Sequence, residues 1–233
     1  GSGQSGAGTI GGSGGTGGFG GGGGGGGVGV TSSGSGQAST FGGGTCGSRT
    51  VGGSGGSGYG GAIFARQGAT IIIKDSTTSG NSVTAGVGGS GGSTGASGST
   101  DGTDLYIMTG INAVFDGTGT GVFNGTISGP GQLTKQGTGT LSVWGANNYG
   151  GTTTVQGGTL EGNTTSLFGD ITDNANVLFT QNSTGTYSHV VSGSGSVTKA
   201  GTAVLTVSNT NTYTGGTVVN AGTFKMGLAN GLY

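Results

Sequence analysis

The chain has 233 residues, of which 67 are glycine, one is proline and 6% are charged. There is no Gly-X-Y period and only Pro130 could fill a proline slot, which excludes collagen. Six basic and seven acidic residues nearly cancel. This balance argues against a charged disordered tail, and against nucleic acid or anionic lipid as a partner.

Residues 1–59 form a Gly/Ser-rich low-complexity segment in which apolar residues are isolated. Cys46 is the only cysteine, so it is interpreted either as a small buried hydrophobe or as a thiol that pairs with another chain. No run in the chain approaches the roughly 18 apolar residues of a membrane span. No transmembrane segment is therefore predicted.

Residues 60–233 are predicted to form a β-solenoid, which begins with one strand at Ile63 and Phe64 and another over 71–73. The Gly/Ser-rich insertion 85–103 follows, and a further strand is expected at Leu105–Met108. The insertion has two interpretations. It is either a flexible linker, or a set of extended polyglycine-II strands that pack against similar strands from residues 1–60.

Two carboxylates in this region are weak candidates for calcium binding. Asp101 and Asp104 lie in STDGTDLY, which partly matches the calcium-binding nonapeptide of β-rolls. The match occurs only once, whereas stacked calcium sites need several turns. No other metal and no cofactor is predicted.

The rest of the chain is a duplication, because residues 105–168 and 169–232 align without gaps at an offset of 64. The residues that define the first copy are Leu133, Lys135, Leu141, Val143, Tyr149, Val155 and Leu160. Those of the second copy are Val197, Lys199, Leu205, Val207, Tyr213, Val219 and Phe224. Direct repeats of this size typically bury their apolar faces by stacking on one another.

Short strands are predicted within each copy, since Thr- and Val-rich segments alternate between apolar and polar residues and are bounded by Gly and Asn. Three coils of about 21 residues per copy would fall within the range of β-containing solenoids. Val, Leu, Ile and Phe would then point inward, and Asn147, Asn148, Asn209 and Asn211 would turn corners. A β-sandwich remains the alternative fold.

The repeated segments LTKQGTGTLSVWGANNYGGTTTVQGGTLEG and VTKAGTAVLTVSNTNTYTGGTVVNAGTFKMG resemble the passenger-associated transport repeat of Gram-negative autotransporters. The stretch GGAIFARQG, followed by SGNSV, resembles the GGAI-type coils of polymorphic outer-membrane proteins. The resemblance implies an all-β, right-handed parallel β-helix. It also implies export across the outer membrane and display or release outside the cell.

Catalytic groups are sparse in this sequence. His189 is the only histidine and lies in TYSHVVSG, a predicted strand, so it is interpreted as a polar residue on a solvated face rather than as part of a triad. Asp170 and Asp173 could form a carboxylate pair, but they are interpreted as solvated loop residues. The chain is therefore predicted not to be an enzyme.

The expected function is that of a structural or adhesive protein at the bacterial cell surface or in the extracellular space, including a biofilm matrix. A host-surface or matrix ligand would need an exposed patch, for which the aromatic candidates are Tyr59, Trp144, Tyr149 and Tyr213; packing at corners is preferred for Tyr149 and Tyr213. The alternative is a filament that grows by end-to-end stacking of solenoids. An ice- or carbohydrate-binding surface is a third expectation.

Overall fold

The computed structural model describes residues 54–88 and 93–227, and these fall into two compact units. The first unit holds the described residues up to Gly61 and those from Ser82 to Gly102. The second holds Ala62–Asn81 and the chain from Thr103 onward. Cys46 and most of the segment 1–59 lie outside the described residues.

The described residues contain short β-strands and no helix. In chain order the strands are β1 (Gly58–Tyr59), β2 (Ile63–Ala65), β3 (Ile71–Ile73), β4 (Thr77–Thr78), β5 (Thr100–Asp101), β6 (Leu105–Ile107), β7 (Asn112–Asp116), β8 (Thr120–Phe123), β9 (Ile127–Ser128), β10 (Gln132–Gln136), β11 (Thr140–Val143), β12 (Thr153–Val155), β13 (Thr159–Gly162), β14 (Ile171–Asp173), β15 (Asn176–Thr180), β16 (Gly185–Tyr187), β17 (Val191–Gly193), β18 (Ser196–Ala200), β19 (Val204–Val207), β20 (Thr212–Tyr213), β21 (Thr217–Val219) and β22 (Thr223–Met226).

The second unit is a parallel β-solenoid with three sides. Side A is a seven-stranded sheet in the order β20-β17-β14-β12-β10-β7-β3, and side B is a seven-stranded sheet in the order β21-β18-β15-β13-β11-β8-β4. Side C follows side B in each coil and is a sheet only near its two ends, as β2-β6-β9 and β16-β19-β22. Every one of these strands pairs in parallel, which confirms the predicted solenoid and excludes the sandwich.

The core runs along the inside of the coils and follows the alternation read in the sequence. On side A the column of inward residues includes Leu133, Thr153, Ile171 and Val191, all at most 1% exposed. The repeat-defining residues of the first copy are all buried, as are the first five of the second copy. Val219 is 49% exposed, because β21 is the outermost strand of side B among the described residues.

The coils are shorter than predicted and do not stay in phase with the duplication. Register partners on side A are 20 residues apart at Leu133↔Thr153, 18 at Thr153↔Ile171 and 20 at Ile171↔Val191. Lys135 lies in β10 on side A, whereas its repeat equivalent Lys199 lies in β18 on side B. The prediction of three coils per copy is therefore wrong: 64 residues span three coils and about one further side.

The cause of this shift is the length of side C. The chain passes from Leu160 on side B to Ile171 on side A in eleven residues, but it takes fourteen from Val177 to Val191. The longer passage gives room for β16 and β19, so side C becomes a hydrogen-bonded sheet again in the later coils. Glycine- and asparagine-rich corners absorb such differences without interrupting sides A and B.

The first unit is held by backbone hydrogen bonds among three extended glycine-rich segments. Gly55 N–H donates to Ala96 O, Gly86 N–H to Gly56 O and Gly98 N–H to Gly86 O, at 2.7, 2.7 and 3.0 Å. A Cβ on Gly55 would overlap the carbonyl of Gly86, and one on Gly98 would overlap that of Gly56. This cyclic bonding, with no room for side chains, matches the polyglycine-II interpretation of the insertion better than the flexible-linker one.

Candidate functional site

The repeated lysines are inside the solenoid. Lys135 is 2% exposed and its Nζ donates to the carbonyls of Gln136, Gly137 and Gly157, at 2.6, 3.0 and 3.2 Å. An ammonium has three N–H groups, so all of them are satisfied. Burial lowers the pKa of Lys135, an effect that the carboxylates of Asp116 and Asp75 oppose. The side chain joins the corner after β10 to the same corner of the next coil.

The second repeat rebuilds this arrangement on another side of the solenoid. Lys199 is 0% exposed and donates to the carbonyls of Ala200, Gly201 and Ala221, at 2.6, 2.7 and 3.1 Å. Each acceptor lies at the same sequence distance from the lysine as in the first repeat. The repeat is therefore a local clamp that works wherever the coil places it. We refer to these two arrangements as the lysine clamps.

Asparagine and tyrosine form a second conserved-in-geometry pair of contacts within the two copies. Asn147 accepts a hydrogen bond from Ile127 N–H and Asn211 accepts one from Val191 N–H, at 2.7 and 2.8 Å. The Tyr149 hydroxyl lies 2.7 Å from Thr153 Oγ1, and burial raises the pKa of Tyr149 to about 12. Tyr149 and Tyr213 are only 3% and 4% exposed, so neither contributes to an exposed binding patch.

The two calcium candidates lie in different units. Asp101 ends β5 in the first unit, and its Oδ1 accepts from Gly102 N–H at 3.0 Å. Asp104 is fully buried in the second unit, where it accepts from Thr78 Oγ1, Asn81 Nδ2 and Gly125 N–H. Protein donors thus occupy both of its oxygens. Within the described ranges, no group of three or more His, Cys, Asp or Glu side chains is placed to hold a metal ion.

The other carboxylates and the histidine differ from their predicted settings. Asp173 is not a solvated loop residue: it points inward from β14 and is 0% exposed. Its Oδ1 accepts from Ala175 N–H at 2.9 Å, while Oδ2 has no partner among the described residues. Burial raises the pKa of Asp173 to about 6, against the lowering effect of hydrogen bonds from the backbone at Ala175 and Val177.

His189 is not in a strand but in the corner after β16, which corrects the prediction for TYSHVVSG. Its ring packs 5.6 Å from the rings of both Phe168 and Tyr187, centroid to centroid. Its Nδ1 lies 3.9 Å from Asp170 Oδ1, which accepts a hydrogen bond from Val190 N–H. Among the described residues no hydroxyl is hydrogen-bonded to this ring, so His189 and Asp170 are not assembled with a nucleophile here.

The remaining aromatic candidates, Tyr59 and Trp144, are partly exposed, Tyr59 in β1 of the first unit and Trp144 directly after β11. Trp144 lines a groove of about 370 Å³ together with residues 163–165 and 180–184. These three segments follow β11, β13 and β15, which are adjacent strands of side B, so they occupy the same corner of three successive coils. Sequence analysis identified Trp144 but missed the other two segments, because only the coil register brings them together.

Comparisons with known proteins agree with this architecture. Residues 133–161 and 197–225 each match the family model of the passenger-associated transport repeat. Neither the curated proteins nor the solved structures contain a match to the chain. Among the described residues no helix is both long and apolar enough to cross a membrane.

The fold and the internal clamps define the class of protein as a parallel β-solenoid built from repeats. The chain carries two passenger-associated transport repeats, and its stacked coils fit the β-helix of an autotransporter passenger.

Proposed function

We propose that the chain is a non-enzymatic extracellular protein with a structural or adhesive role at the bacterial surface. The observation that carries the proposal is the presence of two passenger-associated transport repeats, at 133–161 and 197–225, within one stack of parallel coils. Proteins built on this repeat are generally structural parts of autotransporter passengers. A host surface or an extracellular matrix would supply the ligand.

The use of the ionisable groups supports a structural role. Lys135 and Lys199 spend all their N–H groups on backbone carbonyls, and Asp104 accepts three hydrogen bonds inside the fold. His189 packs against aromatic rings beside Asp170. These groups hold the coils together, which leaves the outer surface largely to hydroxyl, amide and glycine groups.

The test of this proposal is detection of the chain on intact cells of the source bacterium. Antibodies raised against the purified chain should label unpermeabilised cells or detect the chain in the medium, and brief protease treatment of intact cells should remove the label. An in-frame deletion should reduce attachment of the cells to a surface or to one another. Labelling that requires lysis of the cells would contradict the proposal.

A second candidate function, assembly into a filament by stacking of coil ends, is favoured by one feature of the last described coil. Val218, Val219 and Met226 are 52%, 49% and 51% exposed there. They belong to β21 and β22, whose outer edges pair with no other strand among the described residues. An exposed strand edge with apolar side chains is a template for a further strand, which a second copy of the chain would provide.

Electron microscopy at rising concentrations of the purified chain tests this second candidate. Filaments of uniform width should form, and Val219→Lys should abolish them, because a charge would be buried at each junction. Thr198→Lys is the matched control, since Thr198 lies in the middle of side B. Short particles that stay monodisperse at every concentration would contradict assembly by end stacking.

A further inference from the structure

The groove at Trp144 has the form of a small binding site. Its volume of about 370 Å³ falls in the range of about 300–1,000 Å³ typical of ligand pockets. It spans three coils, and neighbouring strands of a sheet are about 4.8 Å apart, so it is long enough for an elongated ligand. It lies entirely within the second unit.

The groove coincides with the step in the length of side C. Residues 163–165 belong to the short passage between Leu160 and Ile171, and residues 180–184 to the longer one between Val177 and Val191. Asn163 Oδ1 tightens the short corner by accepting from Thr165 N–H and Ser166 N–H, at 2.8 and 3.1 Å. The longer corner above it and Trp144 below it then form the two walls.

The floor of the groove is fixed by a buried amide. Gln181 is 4% exposed, and its Oε1 accepts from Thr164 N–H at 3.1 Å. Its Nε2 donates to Thr164 Oγ1 and to the Ser183 carbonyl, at 3.0 and 2.5 Å. Such contacts hold the polar rim in place before a ligand arrives. Asn182, Ser183 and Thr184 on that rim are exposed.

The groove is neutral and combines one aromatic ring with amides and hydroxyls. No Asp, Glu, Lys, Arg or His lines it, so it offers nothing to a phosphate or to a nucleic-acid backbone. Amides and hydroxyls can each donate and accept hydrogen bonds, as the hydroxyl groups of a sugar require. The flat apolar face of an indole suits the C–H face of a pyranose ring.

The fold does not itself require tryptophan at this position. The second repeat has Ser208 in its place, and both residues donate the equivalent backbone hydrogen bond, Trp144 N–H to Phe123 O and Ser208 N–H to Tyr187 O, at 2.8 and 3.1 Å. Among the described residues, Trp144 forms no ring contact and its indole N–H no hydrogen bond. The ring is therefore available to a ligand.

We propose that this groove binds a neutral oligosaccharide, with Trp144 as the stacking platform and the rim of residues 182–184 as its hydrogen-bonding wall. The inference rests on the proposed adhesive function and names the class of ligand for it. A glycan of the host surface or of the extracellular matrix would present such chains.

The test is titration of the purified chain with cellotetraose, maltotetraose and the tetramer of N-acetylglucosamine. Because Trp144 is the only tryptophan, its fluorescence reports on the site directly, and at least one tetrasaccharide should change it saturably with a Kd on the order of 0.1–1 mM. Trp144→Ser, which introduces the residue of the second repeat, should weaken binding at least tenfold by calorimetry. The double variant Asn182→Ala/Thr184→Ala should weaken it as well, and Thr154→Ala on side A should not.

Absence of binding to all three tetrasaccharides, or binding to Trp144→Ser that equals the unaltered chain, would overturn the inference. Circular dichroism establishes that each variant is folded. Labelling of intact cells tests the surface location separately, so a chain that is displayed but binds no sugar would overturn only the saccharide inference.

Discussion

Lys135 and Lys199 hold their ammonium groups inside the coil stack, where each N–H group has a carbonyl partner. The acceptors come from the corner that follows the lysine and from the same corner one coil later. A single side chain thus closes a turn and joins two coils. The clamp explains why the lysine recurs at an otherwise apolar inward position of both repeats.

Lys135→Met should lower the free energy of unfolding by about 2–4 kcal/mol, because the buried carbonyls lose their donor. Lys199→Met should have a similar effect, since its three bonds are equivalent. Chemical denaturation followed by circular dichroism measures both. Lys225→Met is the control, because Lys225 is exposed in β22 and such substitutions usually change stability by less than about 0.5 kcal/mol. Equal stability of all three variants would contradict the clamp.

Asp173 makes the stability of the solenoid depend on pH. The folded state raises its pKa from an ordinary value of 3.8 to about 6, so the folded state binds the proton more tightly than the unfolded chain. The free energy of unfolding should therefore fall as the pH rises from about 4 to about 6, by at most about 3 kcal/mol, since one pKa unit is about 1.4 kcal/mol.

Asp173→Asn should remove this pH dependence and should be at least as stable as the unaltered chain at pH 7.5. Thermal unfolding between pH 3.5 and 7.5 measures both effects. Asp116→Asn, at an exposed carboxylate near Lys74, should retain the slope. An unchanged slope in Asp173→Asn would show that another group is responsible.

At the scale of the coil, several corners depend on glycine because successive coils come very close. A Cβ on Gly139 would overlap the carbonyl oxygen of Gly119 in the previous coil. At Gly150 the nearest atom to an added Cβ would be Pro130 Cα at 3.7 Å, an ordinary contact. The two glycines belong to neighbouring coils but have different roles.

Gly139→Ala should destabilise the chain by about 2 kcal/mol or more, because the corner must move away from its neighbour. Gly150→Ala should be neutral or slightly stabilising, since alanine restricts the unfolded chain. Thermal unfolding of the two variants side by side gives the comparison. A loss of stability in Gly150→Ala as large as that in Gly139→Ala would contradict the close approach of coils at Gly139.

The sequence allowed the strands to be predicted better than the coils. Alternation located β3, β10 and β11, and the spacing of Leu133 and Lys135 by two residues already placed the lysine on the apolar face. The same rule applied to Ile171 and Asp173 would have placed that carboxylate inside. Both signals are local, so they are present in the sequence.

The phase of the coils was not accessible in the same way. It depends on whether eleven or fourteen residues form side C, and loop residues between Leu160 and Ile171 carry no periodic pattern that reports it. The groove at Trp144 depends on that phase, because its walls are 20 to 40 residues apart in sequence. Sequence analysis could therefore nominate Trp144 but not the site around it.

For the whole molecule, the mismatch between the repeat of 64 residues and coils of about 20 means that the two copies face different directions. Contacts within a repeat, such as the lysine clamps, are preserved on either side because they are local. Surface features are not preserved, and Trp144 in one copy and Ser208 in the other show this difference. A repeat solenoid can thus keep its core while its outer surface changes.

The parallel stack with about 20 residues per coil is the feature on which the clamps, the groove and the proposed passenger function all depend. Disulfide cross-linking in a Cys46→Ser background tests it most directly. Thr172 and Ser192 are register partners on side A, and neighbouring strands lie about 4.8 Å apart, within the Cα separation of about 4.4–6.8 Å that disulfides need. Thr172→Cys/Ser192→Cys should therefore oxidise to an intramolecular disulfide, and Thr172→Cys/Ser194→Cys should do so much less readily. Efficient cross-linking of the Ser194 pair with free thiols in the Ser192 pair would contradict the coil register and everything built on it.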